Sequence, residues 1–153
     1  MLFVPNLLWT KRKPENYDAF AANENRVLLV FERVGEVIVT GAALVFSDFN
    51  LRLPVTAFSV WLFASLVLMI LYEIYWIRYF RSRRTMRDFY RGLLGIPVAG
   101  ATLPVFAFAL LAVYGGNPVL LGGALILGVG HIGIHFAHAK EARKADEEET
   151  PEE

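Results

Sequence analysis

Four long apolar stretches are the feature that most restricts how this chain can fold. A helix of ~20 apolar residues is long enough to cross the ~30 Å hydrocarbon core of a membrane. Each stretch has about that length, and 56% of the 153 residues are hydrophobic, which is unusual for a soluble domain. We therefore predict an all-α membrane protein, a four-transmembrane-helix bundle that forms a single domain over residues 1–153. Its spans are predicted at residues 27–46, 55–78, 94–114 and 119–139.

A cluster of arginines between the second and third spans predicts the orientation of the bundle. Cytoplasmic loops of membrane proteins carry an excess of Lys and Arg, and such clusters attract anionic lipids. The cluster contains a single acid, Asp88, and the other two loops contain a single cation, Arg52. We therefore expect a multi-pass protein of the plasma (inner) membrane, with both the N-terminus and the C-terminus cytoplasmic and anionic lipids as partners. The cluster consists of Arg78, Arg81, Arg83, Arg84, Arg87 and Arg91.

The two ends of the chain are predicted to lie outside the hydrocarbon. Residues 1–26 place apolar side chains and Trp9 next to Lys11, Arg12 and Lys13, which is typical of an interfacial or cytoplasmic segment. Residues 145–153 are mostly acidic, and we predict that they form a disordered tail.

Two prolines are predicted to bend the third span. Pro97 and Pro104 both fall inside residues 94–114. A proline within a helix removes a backbone hydrogen bond and clashes with the preceding turn, so we expect a bent or loosened helix there.

The first span carries charged residues that must be explained. Glu32, Arg33 and Glu36 lie within an otherwise apolar run. At ~100° per residue they share one side of a helix, together with Thr40. Charges inside a membrane normally face the protein interior or a water-filled cleft, so we predict a polar wall on this side of the span.

The fourth span predicts the opposite wall. His131, His135 and His138 are spaced i, i+4 and i+7, which places them on one helical face. Glu73 near the end of the second span adds a further carboxylate. Counted at ~1.5 Å per residue from the predicted cytoplasmic ends, these groups occupy one layer in the cytoplasmic half of the membrane. Glu73 and His138 are expected nearest its mouth.

Glutamate and histidine together are typical of three kinds of site. Glu32, Glu36, His131 and His135 would suit a divalent transition metal as cofactor, because carboxylate and imidazole are its usual ligands. A series of such groups also carries protons in transporters. A buried network can equally be structural, with Arg33 balancing one glutamate. The chain has no cysteine, which excludes disulfides and thiolate metal sites.

We therefore predict a small membrane protein that binds or transports a cation, a metal ion or a proton-linked solute, in preference to an enzyme. The alternative is a non-catalytic assembly or regulatory subunit whose polar network is structural or pairs with a partner chain. A membrane metalloenzyme is a third hypothesis, for which the catalytic residues are unknown. No pattern typical of nucleic-acid binding is present, and self-association into a homo-oligomer stays open.

Overall fold

The structure, a computed structural model, describes residues 3–22 and 24–149 of the chain. Within these residues the fold is all-helical, as predicted, and has no β-strand. A 3₁₀ turn, Ala57–Ser59, precedes α4, and a π turn, Gly128–Ile132, joins α7 to α8 in one continuous helix. The α-helices are α1 (Phe3–Thr10), α2 (Tyr17–Ala21), α3 (Arg26–Val45), α4 (Val60–Arg81), α5 (Met86–Tyr90), α6 (Ala99–Gly115), α7 (Pro118–Leu127) and α8 (Gly133–Glu149).

Two helical stretches are long and apolar enough to cross a membrane. They are Ala57–Arg81 and Pro118–Ala145, the second of which runs through the π turn. The helix α6 is apolar but has 17 residues, at the lower limit of the ~17–25 residues that span a bilayer. The helix α3 has 20 residues, with charged side chains among them. The prediction of long apolar helices is therefore confirmed, while the four-span bundle and the multi-pass location stay predictions.

The first predicted span corresponds closely to α3, whose start is set by Asn25. The side-chain oxygen of Asn25 accepts hydrogen bonds from the backbone N–H of Val27 at 2.9 Å and of Leu28 at 3.4 Å. These bonds satisfy two amides that have no partner within the first turn of a helix. The helix then continues to Val45, within one residue of the predicted end.

The third predicted span starts at α6, five residues later than residue 94. Leu93 and Ile96 exchange two backbone hydrogen bonds, of 3.1 and 2.9 Å, which close a tight turn before the helix. Pro97 follows that turn and so lies outside the helix, whereas Pro104 lies inside it. The prediction that both prolines bend the span was therefore wrong for Pro97. The turn before it pairs the backbone N–H and C=O groups of Leu93 and Ile96 with each other, so no helix is needed there.

The acidic end of the chain is more ordered than predicted. The helix α8 runs to Glu149, so residues 145–149 are helical although we predicted disorder from residue 145. Residues 150–153 of the predicted tail lie outside the described residues.

The helices pack as two pairs. Helix α4 packs along α6, and α3 packs along α7 and the π turn. In the second pair the backbones nearly touch, because a Cβ atom on Gly35 would overlap the backbone nitrogen of Leu127. A Cβ atom on Gly130 would likewise overlap the backbone nitrogen of Glu32. Small residues permit such close approach between helices in a membrane.

The N-terminal segment, residues 3–22, packs against the arginine-rich end of the bundle. Trp9 stacks on Phe89 of α5, with ring centroids 5.8 Å apart. Two tyrosines of α4 donate hydrogen bonds to the segment, Tyr72 to the Asn6 side chain at 3.3 Å and Tyr79 to the Arg12 carbonyl at 2.9 Å. These contacts make the segment part of the folded bundle.

Candidate functional site

A cavity of about 610 Å³ lies between the two helix pairs. Helices α3 and α4 form facing walls with few direct contacts between them, and α6 and α7 form the back. The N-terminal segment forms the end near the arginines. The polar side chains that line the cavity are Asn6, Thr10, Glu24, Glu32, Arg33, Glu36, Thr40, His131 and His135. The aromatic side chains that line it are Trp9, Tyr17, Tyr72, Trp76, Phe89 and Phe108.

The contact at the centre of the cavity joins α3 to the π turn. The Nδ1 atom of His131 lies 2.5 Å from Oε1 of Glu32, and the Glu32 residue is only 9% exposed. The pair is this close because Gly130, next to His131, lets the two backbones touch at Glu32. A π turn inserts an extra residue into a helix and often occurs at functional sites. The helix packing therefore sets the position of the hydrogen bond between this glutamate and histidine.

A second charged pair lies one turn further along α3. Arg33 donates a hydrogen bond to the Glu36 carboxylate at 2.9 Å, and the two side chains are 69% and 42% exposed. Arg33 therefore both neutralises a glutamate and lines the cavity. The structural and binding interpretations of Arg33 are not exclusive.

The first histidine of α8, His135, extends the polar wall from the π turn. The ring of His135 is centred 4.5 Å from that of His131, and both line the cavity. The rings of Phe89 and Tyr90 lie 5.8 and 5.6 Å from His135. His135 thus lies between the glutamate–histidine pair and the rings of Phe89 and Tyr90.

The third histidine belongs to a separate cluster that the sequence did not indicate. His138 is 3% exposed, and its Nδ1 shares a 2.9 Å hydrogen bond with the hydroxyl of Tyr90. Its Nε2 lies 3.7 Å from a Glu24 carboxylate oxygen, too far for a hydrogen bond. Burial raises the pKa of Tyr90 above its usual range, so the phenol stays protonated. Nearby Tyr17 has its pKa raised to about 12, first by burial and then by Glu24.

Glu73 lies apart from the cavity. The residue is half-buried on α4 and is not among the residues that line the cavity. Its Oε1 atom is buried and has no hydrogen-bond partner among the described residues. The structure therefore does not bring Glu73 together with the glutamates of α3.

The four side chains predicted as metal ligands are divided between different contacts. Glu32 pairs with His131, whereas Glu36 pairs with Arg33. Within the described residues, no three His, Asp or Glu side chains are grouped so that they can hold a metal ion. The metal prediction is untested, and this arrangement gives it no support.

Sequence reasoning missed Glu24, Tyr90 and the aromatic side chains of the N-terminal segment. Glu24 precedes the first apolar run, and its distance in sequence from His138 gave no reason to pair them. The combination of Trp9 and Tyr17 near basic residues indicated an interfacial segment but not a cavity wall. Their position depends on the packing of the segment against α4 and α5, which periodicity does not reveal.

Comparison of the chain with known protein families, with curated proteins and with solved structures found no match.

The charge of the cavity walls indicates which kind of ligand the cavity attracts. Among the described lining residues, the carboxylates of Glu24, Glu32 and Glu36 face a single guanidinium, that of Arg33. Three negative charges against one positive charge leave an excess of two negative charges while the histidines are neutral. Such an excess attracts cations or protons.

Proposed function

We propose that the chain is a four-span membrane bundle that binds a cation in this cavity and exchanges it for a proton. In this proposal both termini are cytoplasmic, and the cavity opens in the cytoplasmic half of the membrane. The observation that carries the proposal is the Glu32–His131 contact beside a cavity with excess negative charge.

The outer surface of α3 supports its placement in the membrane despite its charges. The side chains on this surface are large, apolar and exposed, whereas Glu32 is buried. Soluble proteins rarely expose continuous apolar surface of this extent, and lipid would cover it. The exposed apolar residues of α3 that lie outside the cavity lining are Val27, Val30, Phe31, Val34, Val37 and Val45.

The exchange follows from the charge of the glutamate–histidine pair. A proton on His131 offsets one carboxylate of the cavity, so the protonated site attracts a cation less strongly. A cation that enters the cavity stabilises neutral His131, and the proton leaves. By linkage, a low pH then releases the cation.

A cation held by charge and by the cavity walls fits the arrangement better than a chelated metal. A metal bound by Glu32, Glu36, His131 and His135 requires Glu36 to leave Arg33 and His131 to leave Glu32. The transition metals Mn²⁺ and Zn²⁺ are compared with the other cations in the test.

The test measures protons released when cations bind. Purified protein in nanodiscs at pH 6.5, in weak buffer with a pH-sensitive dye, receives Na⁺, K⁺, Mn²⁺, Zn²⁺ or tetramethylammonium. We expect at least one of these cations to release protons saturably, and Glu32→Gln to abolish the release. Glu15→Gln, an exposed glutamate outside the cavity, is the matched control and should release as many protons as the wild type. No release by any cation, or undiminished release from Glu32→Gln, contradicts the proposal.

The alternative is an assembly or regulatory subunit, and the exposure of the Arg33–Glu36 pair favours it. A charged pair that is 69% and 42% exposed on a membrane helix suits a polar partner chain as well as a water-filled cleft. A subunit of this kind releases no protons on adding cations, and its partner co-purifies in mild detergent. Charge reversal of both residues, Arg33→Glu with Glu36→Arg, would then dissociate the partner.

A further inference from the structure

The size of the cavity does not match an inorganic ion. A volume of about 610 Å³ falls within the ~300–1,000 Å³ typical of small-molecule sites, whereas a bare metal ion occupies a small fraction of it. The occupant that fits this volume is therefore an organic molecule.

The lining divides into a charged half and an apolar half. Glu24 and Glu32 lie toward the N-terminal segment, where Tyr72, Trp76 and Phe89 form the aromatic wall. The other half lies further along α3 and α6. It is lined by the apolar side chains of Val39, Ala43, Leu44, Val105 and Phe108, together with Thr40. A ligand that matches both halves has a positive head and an apolar body.

Aromatic rings beside carboxylates are suited to an ammonium group. A cation within ~6 Å of an aromatic face is attracted by the ring, and burial strengthens the attraction. The N-terminal segment already shows this chemistry, because the Lys13 ammonium lies 5.6 Å from the ring centroids of both Trp9 and Tyr17. A carboxylate nearby supplies the opposite charge.

We infer that the cavity binds an amphipathic organic cation, an amine or quaternary ammonium with an apolar body, taken up from the bilayer between α3 and α4. This inference rests on the proposed function, since it specifies which cation exchanges with the proton. The few direct contacts between α3 and α4 leave a lateral route from lipid. The head lies between Glu32 and the aromatic wall, and the body extends toward Leu44 and Phe108.

Tryptophan fluorescence tests the inference directly. Trp9 and Trp76 line the cavity, whereas Trp61 does not, so Trp61→Phe leaves the cavity reporters. The variant in nanodiscs is titrated with benzyltrimethylammonium and with neopentylbenzene, its uncharged carbon isostere. We expect saturable binding of the cation, roughly tenfold tighter than of the isostere and of tetramethylammonium. Glu32→Gln and Glu24→Gln should each weaken cation binding severalfold without changing isostere binding, and Glu15→Gln should change neither.

Circular dichroism and thermal unfolding of each variant separate lost binding from lost folding. If Glu32→Gln does not fold, Glu24→Gln tests the loss of cation binding in its place. Equal binding of the cation and its isostere overturns the inference, because the cavity then recognises apolar bulk alone. Proton release by inorganic cations without binding of benzyltrimethylammonium overturns the inference and leaves the proposed function standing. Failure of every cation to release protons overturns both.

Discussion

At the scale of single residues, the site depends on how each buried polar group is paired. Glu32 has a partner in His131, and Tyr90 has one in His138, so two histidines of α8 and its π turn hold groups from other parts of the chain. Removing one partner of a buried polar pair destabilises the fold by more than the pair itself contributes. The remaining polar group is then buried without a hydrogen-bond partner or an opposite charge.

The first prediction concerns His131. His131→Ala leaves the buried Glu32 carboxylate unpaired, and we expect a loss of about 2–4 kcal/mol in the free energy of unfolding. Unfolding in mixed detergent, followed by tryptophan fluorescence, measures it. His135→Ala is the control, because its side chain has no hydrogen bond among the described residues and should lose less. Equal losses in the two variants would show that the Glu32 contact contributes nothing specific.

The second prediction concerns stability at alkaline pH. The pKa of Tyr17 rises from 10.0 to about 12, and that of Tyr90 is raised further by burial. Since the folded state holds these protons more tightly than the unfolded state, their contribution is complete below pH ~10 and is lost as the pH rises through 12. We expect unfolding to begin above pH 10, with the phenolate absorbance at 295 nm rising as the helix signal falls. Tyr17→Phe should reduce the slope of stability against pH; an unchanged slope counts against this assignment.

At the scale of elements, the contact between α3 and the π turn sets the geometry of the site. The glycines at this contact allow backbone to meet backbone, and a side chain there would push Glu32 away from His131. The positions of the glycines along the helix therefore matter more for this contact than the number of glycines.

The third prediction compares two glycines of the same continuous helix. Gly130→Ala places a methyl group against the backbone of α3, and we expect a loss of about 2–4 kcal/mol together with loss of proton release. Gly122→Ala is the matched control, because nothing lies within 4 Å of a Cβ there, and its helix propensity should stabilise the protein by up to ~1 kcal/mol. Detergent unfolding and the dye assay are run on both variants. If Gly130→Ala behaves like Gly122→Ala, the close packing is not required.

Some of these elements follow from the sequence and some do not. The length of apolar runs is sufficient to place α3, α4 and the long α7–α8 helix, because burial in lipid or core dominates their formation. The turn between Leu93 and Ile96 depends on two backbone hydrogen bonds, and hydrophobicity carries no signal for them. The π turn is similarly hidden, since it lies where Gly130 packs on α3, and that contact has no signal in the periodicity of the sequence.

At the scale of the whole molecule, the sequence predicts the candidate residues better than their partners. Helical spacing is sufficient to group Glu32 with Glu36 and His131 with His135. It does not reveal that His131 pairs with Glu32 and not with Glu36, or that Glu24 approaches His138 from outside the apolar runs. Partners on different elements are set by tertiary packing, which one sequence without its fold leaves undetermined.

The fourth prediction tests the orientation of the four proposed spans. Since the chain has no cysteine, single cysteines report their side of the membrane without background labelling. We expect Ser47→Cys to react with a membrane-impermeant maleimide added outside cells, and Arg84→Cys and Lys144→Cys to react only after the membrane is opened. Labelling of Ser47→Cys and Arg84→Cys from the same side would exclude the proposed topology.

The N-terminal segment has a thermodynamic consequence because it forms one end of the cavity. Tyr79 holds it through the Arg12 carbonyl, away from the cavity lining, whereas Tyr72 holds it through Asn6 at the cavity itself. A molecule that touches Trp9 and Tyr17 binds more weakly when the segment is detached. By reciprocity, the bound molecule must hold the segment in place by the same free energy. In the proposed membrane arrangement, occupancy of the cavity therefore changes how firmly residues 3–22 are held at the membrane surface.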